Sequence, residues 1–151
     1  MNALSPLLTA LAGLYAAENR PGGMQTARGL LAAAAEPGKL TMQPKGPLDA
    51  AFQQTLMGDP HPLTPLIRQA APYLKWVYSE LGGRIRAEIA QGMMQAELIG
   101  PGALFDSDTL SIGLFVQSAQ LDYVARAHAA EETFFMLGGE GLWTAEDRAE
   151  H

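Results

Sequence analysis

The spacing of hydrophobic residues along the chain changes near residue 83. Before this point, apolar residues recur every three or four positions, which is the period of one helix face. After it, apolar and polar residues alternate, which is typical of half-buried strands. We therefore predict an α+β fold, in which N-terminal helices precede a small antiparallel β-sheet or an incomplete barrel. The predicted division is a helical region over residues 1–82 and a β region over residues 83–151.

Four helices are predicted in the first region. Their predicted starts are Ser5, Thr26, Pro47 and Thr64. The first would use Ser5 as its N-cap and Pro6 as its first helical residue, and the Pro-Gly-Gly run at 21–23 would end it. The last would be kinked at Pro72 and would continue through residues 73–81.

Short strands separated by turns are predicted in the second region. They cover residues 94–99, 112–117 and 133–137, and a further strand begins at Leu142-Trp143. The run Asp106-Ser107-Asp108 resembles the opening of a calcium loop. Because the glycine and the distal glutamate of such a loop are missing, a polar turn is expected there instead.

The composition argues against several classes of protein. The 10 Lys and Arg against 16 Asp and Glu give a net charge of −6, which disfavours binding to nucleic acid or to an anionic membrane. There is no cysteine, so a disulfide framework and a cysteine-ligated metal site are excluded. No uncharged apolar run approaches the ~20 residues that span a bilayer. Residues 1–17 carry no Lys or Arg before their leucines, so we expect a cytoplasmic protein with an amphipathic first helix.

Possible metal ligands are concentrated in residues 121–143. His128 precedes Glu132 by four residues, and a neutral imidazole with a carboxylate suits Zn, Mn, Fe or Ni. On their own, these two residues are equally consistent with an exposed histidine beside a solvated glutamate. His61 lies between two prolines, where an exposed loop residue is expected.

This segment resembles the first sequence motif of the cupins. It contains Tyr-x4-His-x3-Glu, then an aromatic run and Gly-Gly-Glu-Gly. His128 falls on the second His of the motif, Glu132 on its Glu and Gly139 on its closing Gly. Arg126 falls where the first His belongs.

The flanking residues narrow the resemblance to one group of cupins. Residues 61–76, 105–108 and 129–132 look like those of the bacterial dimethylsulfoniopropionate (DMSP) lyases of the cupin type. The resemblance covers residues 48–147. It implies a small β-barrel with N-terminal helices and a bound divalent transition metal (Zn, Fe, Mn or Ni). It also implies cleavage of DMSP to dimethyl sulfide and acrylate by β-elimination.

The resemblance also implies roles for individual residues. His128 and Glu132 would bind the metal, and Tyr123 would be the catalytic base. The positive sulfonium group of DMSP would favour aromatic walls. The residues in a position to supply such walls are Tyr123, Phe134, Phe135 and Trp143.

Three departures from the family pattern favour a second interpretation, a non-catalytic cupin-like protein for binding or assembly. Arg126 stays protonated and cannot be a metal ligand. Phe134 stands where the family carries a second tyrosine. The second cupin motif, which supplies a further histidine, is not found after Trp143. A third interpretation is another cupin enzyme, such as a dioxygenase or an isomerase.

An incomplete barrel would leave an open sheet edge. We therefore expect a longer protein, a shortened relative, or a homo-oligomer that closes the sheet between chains.

Overall fold

A computed structural model describes residues 1–36, 40–42, 46–58, 61–79, 83, 85–123, 131–145 and 148–150. Its helices are α1 (Ser5–Ala16), α2 (Pro21–Ala35), α3 (Ala50–Gly58), α4 (Thr64–Ala70) and α5 (Ala87–Gln91), with a 3-10 turn at Ala71–Tyr73. Its strands are β1 (Val77–Tyr78), β2 (Met93–Gly100), β3 (Phe105–Asp106), β4 (Ile112–Gln117), β5 (Trp143–Ala145) and β6 (Arg148–Glu150). The predicted α+β class, with N-terminal helices before an open sheet, is confirmed. The sheet is mixed and not purely antiparallel, because β3 runs parallel to β2, and α5 lies between β1 and β2. The boundary at residue 83 stays a prediction.

The start of α1 is fixed by Asn2 and not by the predicted N-cap. Ser5 is already the first helical residue and Leu4 is the N-cap. The Asn2 Oδ1 atom accepts a hydrogen bond from the Leu4 N–H at 3.0 Å. The Ser5 hydroxyl instead donates to the carbonyl of Ala34 at 2.7 Å. Ser5 therefore joins α1 to the end of α2, and the prediction that it caps α1 was wrong.

The second helix begins five residues earlier than predicted. Pro21 occupies the first turn, where its missing N–H costs nothing, and Arg20 before it is extended. Gly22 and Gly23 therefore continue a helix instead of breaking the chain. A Cβ on Gly23 would lie 2.6 Å from the Tyr15 carbonyl oxygen, so the glycine is needed for the close approach of α1 and α2.

The fourth helix does not continue past Pro72 as predicted. Pro72 lies in the 3-10 turn, and Leu74, which follows it, is extended and fully buried. The Trp76 N–H then donates to the Gly46 carbonyl at 2.8 Å. Val77 and Tyr78 consequently enter the sheet as β1.

Strand β2 is the centre of the main sheet. Strand β4 pairs with it antiparallel from Met93 to Ile99. Strand β1 pairs antiparallel with β2 at Met94 and Gln95, and β3 pairs parallel with it from Ile99. These three residues of β2 are paired with β4 on one edge, so β1 and β3 both lie along the other edge. The register shifts between Glu97 and Ile99. This bulge lets Leu98 and its neighbour Ile99 both be buried.

The two faces of this sheet differ. Met94, Ala96 and Leu114 belong to the hydrophobic core that includes α1 and α2. On the opposite face, Glu97 and Phe115 are exposed. We call this second side the open face.

The strand predicted over residues 133–137 is absent, since the described residues 131–137 pair with no strand. The strand predicted at Trp143 is confirmed as β5, which pairs with β6 in a separate two-stranded sheet. Among the residues that are described, no helix combines the length and the apolar character needed to cross a membrane.

Candidate active site

Tyr123 lies beside the open face. Its ring contacts that of Phe115 on β4, with centroids 6.3 Å apart and an interplanar angle of 65°. The approach begins where the Ser118 N–H donates to the Gly92 carbonyl at 2.8 Å. A Cβ on Gly92 would lie 2.7 Å from a methyl carbon of Leu121. Gly92 therefore provides the space in which residues 118–123 fold back over the sheet.

Glu132 lies in a segment that is held by polar contacts to the turn between α1 and α2. We call residues 17–20 the α1–α2 turn. The Arg20 guanidinium lies 3.3 Å from a carboxylate oxygen of Glu131 and donates to the Thr133 hydroxyl at 2.9 Å. It also forms an ion pair with Glu18. Both chain neighbours of Glu132 are thus bound by one side chain.

Glu18 is the buried end of this network. Its side chain is 13% exposed, against 53% for Arg20. The Thr133 hydroxyl donates to one Glu18 oxygen at 3.3 Å, and the other oxygen is buried with no hydrogen-bond partner among the described residues. Burial raises the pKa of the nearby Tyr15, and the negative charge of Glu18 raises it further.

The four aromatic residues predicted as a substrate wall are distributed over three places. Phe135 packs edge-on against Tyr15 of α1, with centroids 4.9 Å apart. Phe134 packs against Trp143 of β5 at 5.0 Å, and both rings of this pair remain partly exposed. Only Phe134 and Trp143 therefore form a shared aromatic surface.

The structure describes one of the two predicted metal ligands. His128 and Arg126 lie outside the described residues, whereas Glu132 is described and exposed. Within the described ranges, no three His, Asp or Glu side chains come close enough to share a metal ion. Imidazole and carboxylate donors fit a divalent transition metal, and an exposed carboxylate is accessible to one.

A second pair of titratable groups lies at the opposite edge of the sheet, beside β1. The Tyr78 hydroxyl donates to Asp49 at 2.5 Å, in an open groove of about 490 Å³ that Trp76 also lines. This hydrogen bond lowers the pKa of Asp49 and raises that of Tyr78. Backbone N–H groups of α3 also lower the Asp49 pKa, so this carboxylate has a structural role at a helix start.

Comparison with known proteins identifies a family, which the geometry of the described residues alone does not. A family model described as dimethylsulfoniopropionate lyase matches residues 25–150. The chain belongs to the DMSP lyase family. The dimethylsulfoniopropionate lyase DddQ of Ruegeria pomeroyi is 31% identical over 117 residues, which cover 73% of this chain and 58% of the relative. The chain thus spans little more than half of the length of that relative. No solved structure gives a significant match.

The DMSP lyase match contains Tyr123, His128 and Glu132, and their roles stay predictions. The sequence interpretation did not identify Arg20, Glu18 or Thr133. The sequence does show a charged pair, Glu18 and Arg20, just before the Pro-Gly-Gly run. Arg20 and Thr133 are 113 positions apart, so no local pattern could have connected them.

Proposed function

We propose that this chain forms the metal-binding part of a carbon–sulfur lyase that cleaves DMSP to dimethyl sulfide and acrylate. The observation that carries the proposal is the DMSP lyase family match over residues 25–150. The similarity to a relative that is itself named a DMSP lyase supports it.

The proposed reaction is a β-elimination. A base removes a proton from the carbon next to the carboxylate, and the electron pair of that C–H bond forms the double bond. The C–S bond breaks, and its electron pair leaves with sulfur as dimethyl sulfide. The products are acrylate, dimethyl sulfide and a proton that stays on the base.

Tyr123 is the proposed base. It is half-buried beside the open face, and its ring lies edge-on to that of Phe115. An ordinary tyrosine has a pKa of about 10, so a nearby positive charge is needed to favour its phenolate form. A divalent metal held by His128 and Glu132 would supply that charge and would polarise the substrate carboxylate.

The sulfonium end of the substrate needs a different surface. Phe134 and Trp143 offer two partly exposed aromatic rings two residues or more beyond Glu132, and aromatic faces attract a cation. Phe135 is already packed against Tyr15. We therefore assign sulfonium binding to Phe134 and Trp143 only.

The proposal predicts that dimethyl sulfide release from DMSP requires added Mn2+, Fe2+ or Zn2+. Tyr123→Phe keeps the ring but removes the base, so we expect it to retain the metal and to lower kcat about 100-fold or more. His128→Ala and Glu132→Ala each remove a ligand and should lose the metal. The measurements are gas-phase dimethyl sulfide and metal content per chain.

Glu140→Ala is the matched control, because Glu140 is an exposed glutamate in the same segment. It should keep both metal and activity. Unchanged metal content in both His128→Ala and Glu132→Ala would refute the ligand assignment. Full activity of Tyr123→Phe would refute the assignment of the base.

The alternative is a non-catalytic family member that binds or assembles. Phe134, where the resemblance expects a second tyrosine, contributes a ring contact with Trp143 and no hydroxyl. A folded chain that holds no metal would favour this alternative. An assembly that closes the sheet edge would then appear as a homo-oligomer by sedimentation.

A further inference from the structure

We propose that Arg20 is a positioning residue for Glu132, and that it raises the affinity of the chain for a divalent metal without touching the metal. This inference rests on the proposed function, in which Glu132 is a metal ligand. It assigns a role to the α1–α2 turn in the chemistry of a segment more than 100 positions away along the chain.

The contacts of Arg20 are arranged around Glu132. One terminal nitrogen of the guanidinium faces Glu131 at 3.3 Å, and the other donates to the Thr133 hydroxyl at 2.9 Å. A guanidinium presents its N–H donors in a fixed planar fork, so two such contacts set a direction as well as a distance. The chain on both sides of Glu132 is therefore held to one rigid group.

Arg20 is itself held in place by Glu18 and by its position at the start of α2. Its guanidinium is paired with Glu18, whose side chain is 13% exposed, and the same carboxylate accepts a hydrogen bond from Thr133 at 3.3 Å. The backbone of Arg20 is the N-cap of α2 and leads directly into Pro21. The guanidinium thus extends from a helix end that is packed, since Gly23 in the first turn of α2 is buried.

Alternate residues of the segment face in different directions. Glu131, Thr133 and Phe135 contact Arg20, Glu18 or Tyr15, all of which lie in α1 or in the turn that follows it. Phe134 contacts Trp143 instead. Successive side chains of an extended chain point to opposite sides. We therefore place Glu132 on the same side as Phe134, away from the α1–α2 turn.

A positioning role of Arg20 in metal binding can be separated from its contribution to the stability of the fold. Residues 131–137 make no strand pairing, so no backbone ladder sets the direction of this segment. Metal ligands lose affinity when their supporting contacts are removed, typically by 10- to 100-fold. Arg20 is 53% exposed and Glu131 is 65% exposed, and exposed ion pairs contribute little to global stability. The pair of Arg20 with Glu18 is more buried, and its loss adds a cost in stability. Thr133→Val keeps that ion pair, so it should weaken metal binding more than it weakens the fold.

The test compares Arg20→Met with Arg28→Met in the full 151-residue chain. Methionine keeps most of the length of the arginine side chain and removes every N–H donor. Arg28 is an exposed arginine on the same helix, which makes it the matched control. The measurements are the Kd for Zn2+ and for Mn2+, titrated separately, the melting temperature, and amide hydrogen exchange of residues 131–135 in the metal-free chain.

We expect Arg20→Met to raise the metal Kd about tenfold and to speed exchange of residues 131–135. Its melting temperature should also fall, because Glu18 loses its guanidinium partner, whereas Arg28→Met should bind metal like the wild type. Thr133→Val removes one of the two contacts and should raise the Kd by less. This graded loss is a readout that a purely structural role would not produce.

Four outcomes decide the matter. An unchanged Kd in Arg20→Met overturns the positioning role and leaves the proposed function intact. An unchanged Kd in Thr133→Val, which keeps the ion pair of Arg20 with Glu18, also overturns it. A wild-type chain that binds neither metal overturns both proposals. Arg20-dependent metal binding without release of dimethyl sulfide supports the positioning role and refutes the lyase.

Discussion

Strand β2 and residues 131–137 are both rich in apolar residues, yet they are held in opposite ways. β2 is bonded on both edges, and six of its eight residues are buried. In residues 131–137, no strand is formed, and Phe134, Phe135 and Met136 stay 47%, 36% and 51% exposed. An apolar run becomes a strand only where another strand and a covering layer are available to it.

The difference separates the proposed site from the scaffold, which is the set of helices and the main sheet around the hydrophobic core. The scaffold is stabilised by burial of apolar area, which is large and non-directional. The segment that carries Glu132 is fixed by a guanidinium, a hydroxyl and an edge-on aromatic contact, which are few and directional. We expect substitutions in the first region to change stability, and substitutions in the second to change local geometry.

The largest predicted effect contrasts a leucine of β2 with one that follows residues 131–137. Leu98 of β2 is fully buried, whereas Leu142 is 64% exposed. Leu98→Ala should lower the free energy of unfolding by about 2–5 kcal/mol through lost transfer energy and a cavity. Leu142→Ala should change it by less than about 0.5 kcal/mol. Chemical denaturation of both variants measures this, and equal losses would contradict the proposed separation.

A smaller effect is predicted at the junction of the two regions. A Cβ on Gly23 would meet the Tyr15 carbonyl oxygen at 2.6 Å and a Glu18 oxygen at 2.7 Å, whereas one on Gly22 would meet Glu131 at an ordinary 3.6 Å. Gly23→Ala should therefore destabilise the chain by about 1–3 kcal/mol, as overpacking does. Gly22→Ala should be neutral or slightly stabilising, because alanine is the better helix former.

Hydrogen exchange sharpens this comparison. Displacement of Glu18 in Gly23→Ala should also loosen residues 131–135, which Glu18 and Arg20 hold. Gly22→Ala should leave their exchange unchanged. Equal melting temperatures for the two variants would show that the helix pair tolerates a methyl group at either position.

The scaffold was predictable where its signal is local. Alternation within β4 gave its bounds at residues 112–117 as observed, because one face of that strand is buried and the other is exposed. The same rule placed Ile99 on the polar face of β2. The bulge after Glu97 buries Ile99 instead, and a change of register depends on the partner strand.

Other predictions failed because tertiary contacts decided the local structure. Gly22-Gly23 is a chain breaker by propensity, but here both glycines are helical and Gly23 allows α2 to approach α1. Residues 74–78 have a helical pattern of apolar side chains, yet the buried Leu74 and the pairing of β1 with β2 draw them into extended chain. The local motif identified Glu132 but not the side chain that holds its chain neighbours. Arg20 contacts Glu131 and Thr133 only when the helices have packed.

The smallest predicted effect depends on Tyr15, which links the two regions through its contact with Phe135. Burial and then the charge of Glu18 raise its pKa in the folded chain. The folded state therefore holds this proton more tightly than the unfolded state, whose tyrosine pKa is about 10. The stabilising contribution is complete below about pH 10 and is lost as the pH rises through the folded pKa. Tyr15→Phe keeps the ring but has no proton to lose, so its unfolding free energy should fall less steeply above about pH 10.

Tyr78 supplies the comparison for this experiment, because its pKa is also raised, but by a hydrogen bond to Asp49 beside the edge strand β1. Tyr78→Phe should reduce the alkaline loss of stability without affecting residues 131–137. In the wild type, we expect exchange of these residues to increase at a lower pH than exchange of β2, since an ionised Tyr15 beside Glu18 disfavours the Phe135 contact while the core stays packed. Simultaneous loss of protection in both regions would mean that they unfold as one unit, and that the few directional contacts of residues 131–135 are as strong as the packing of the scaffold.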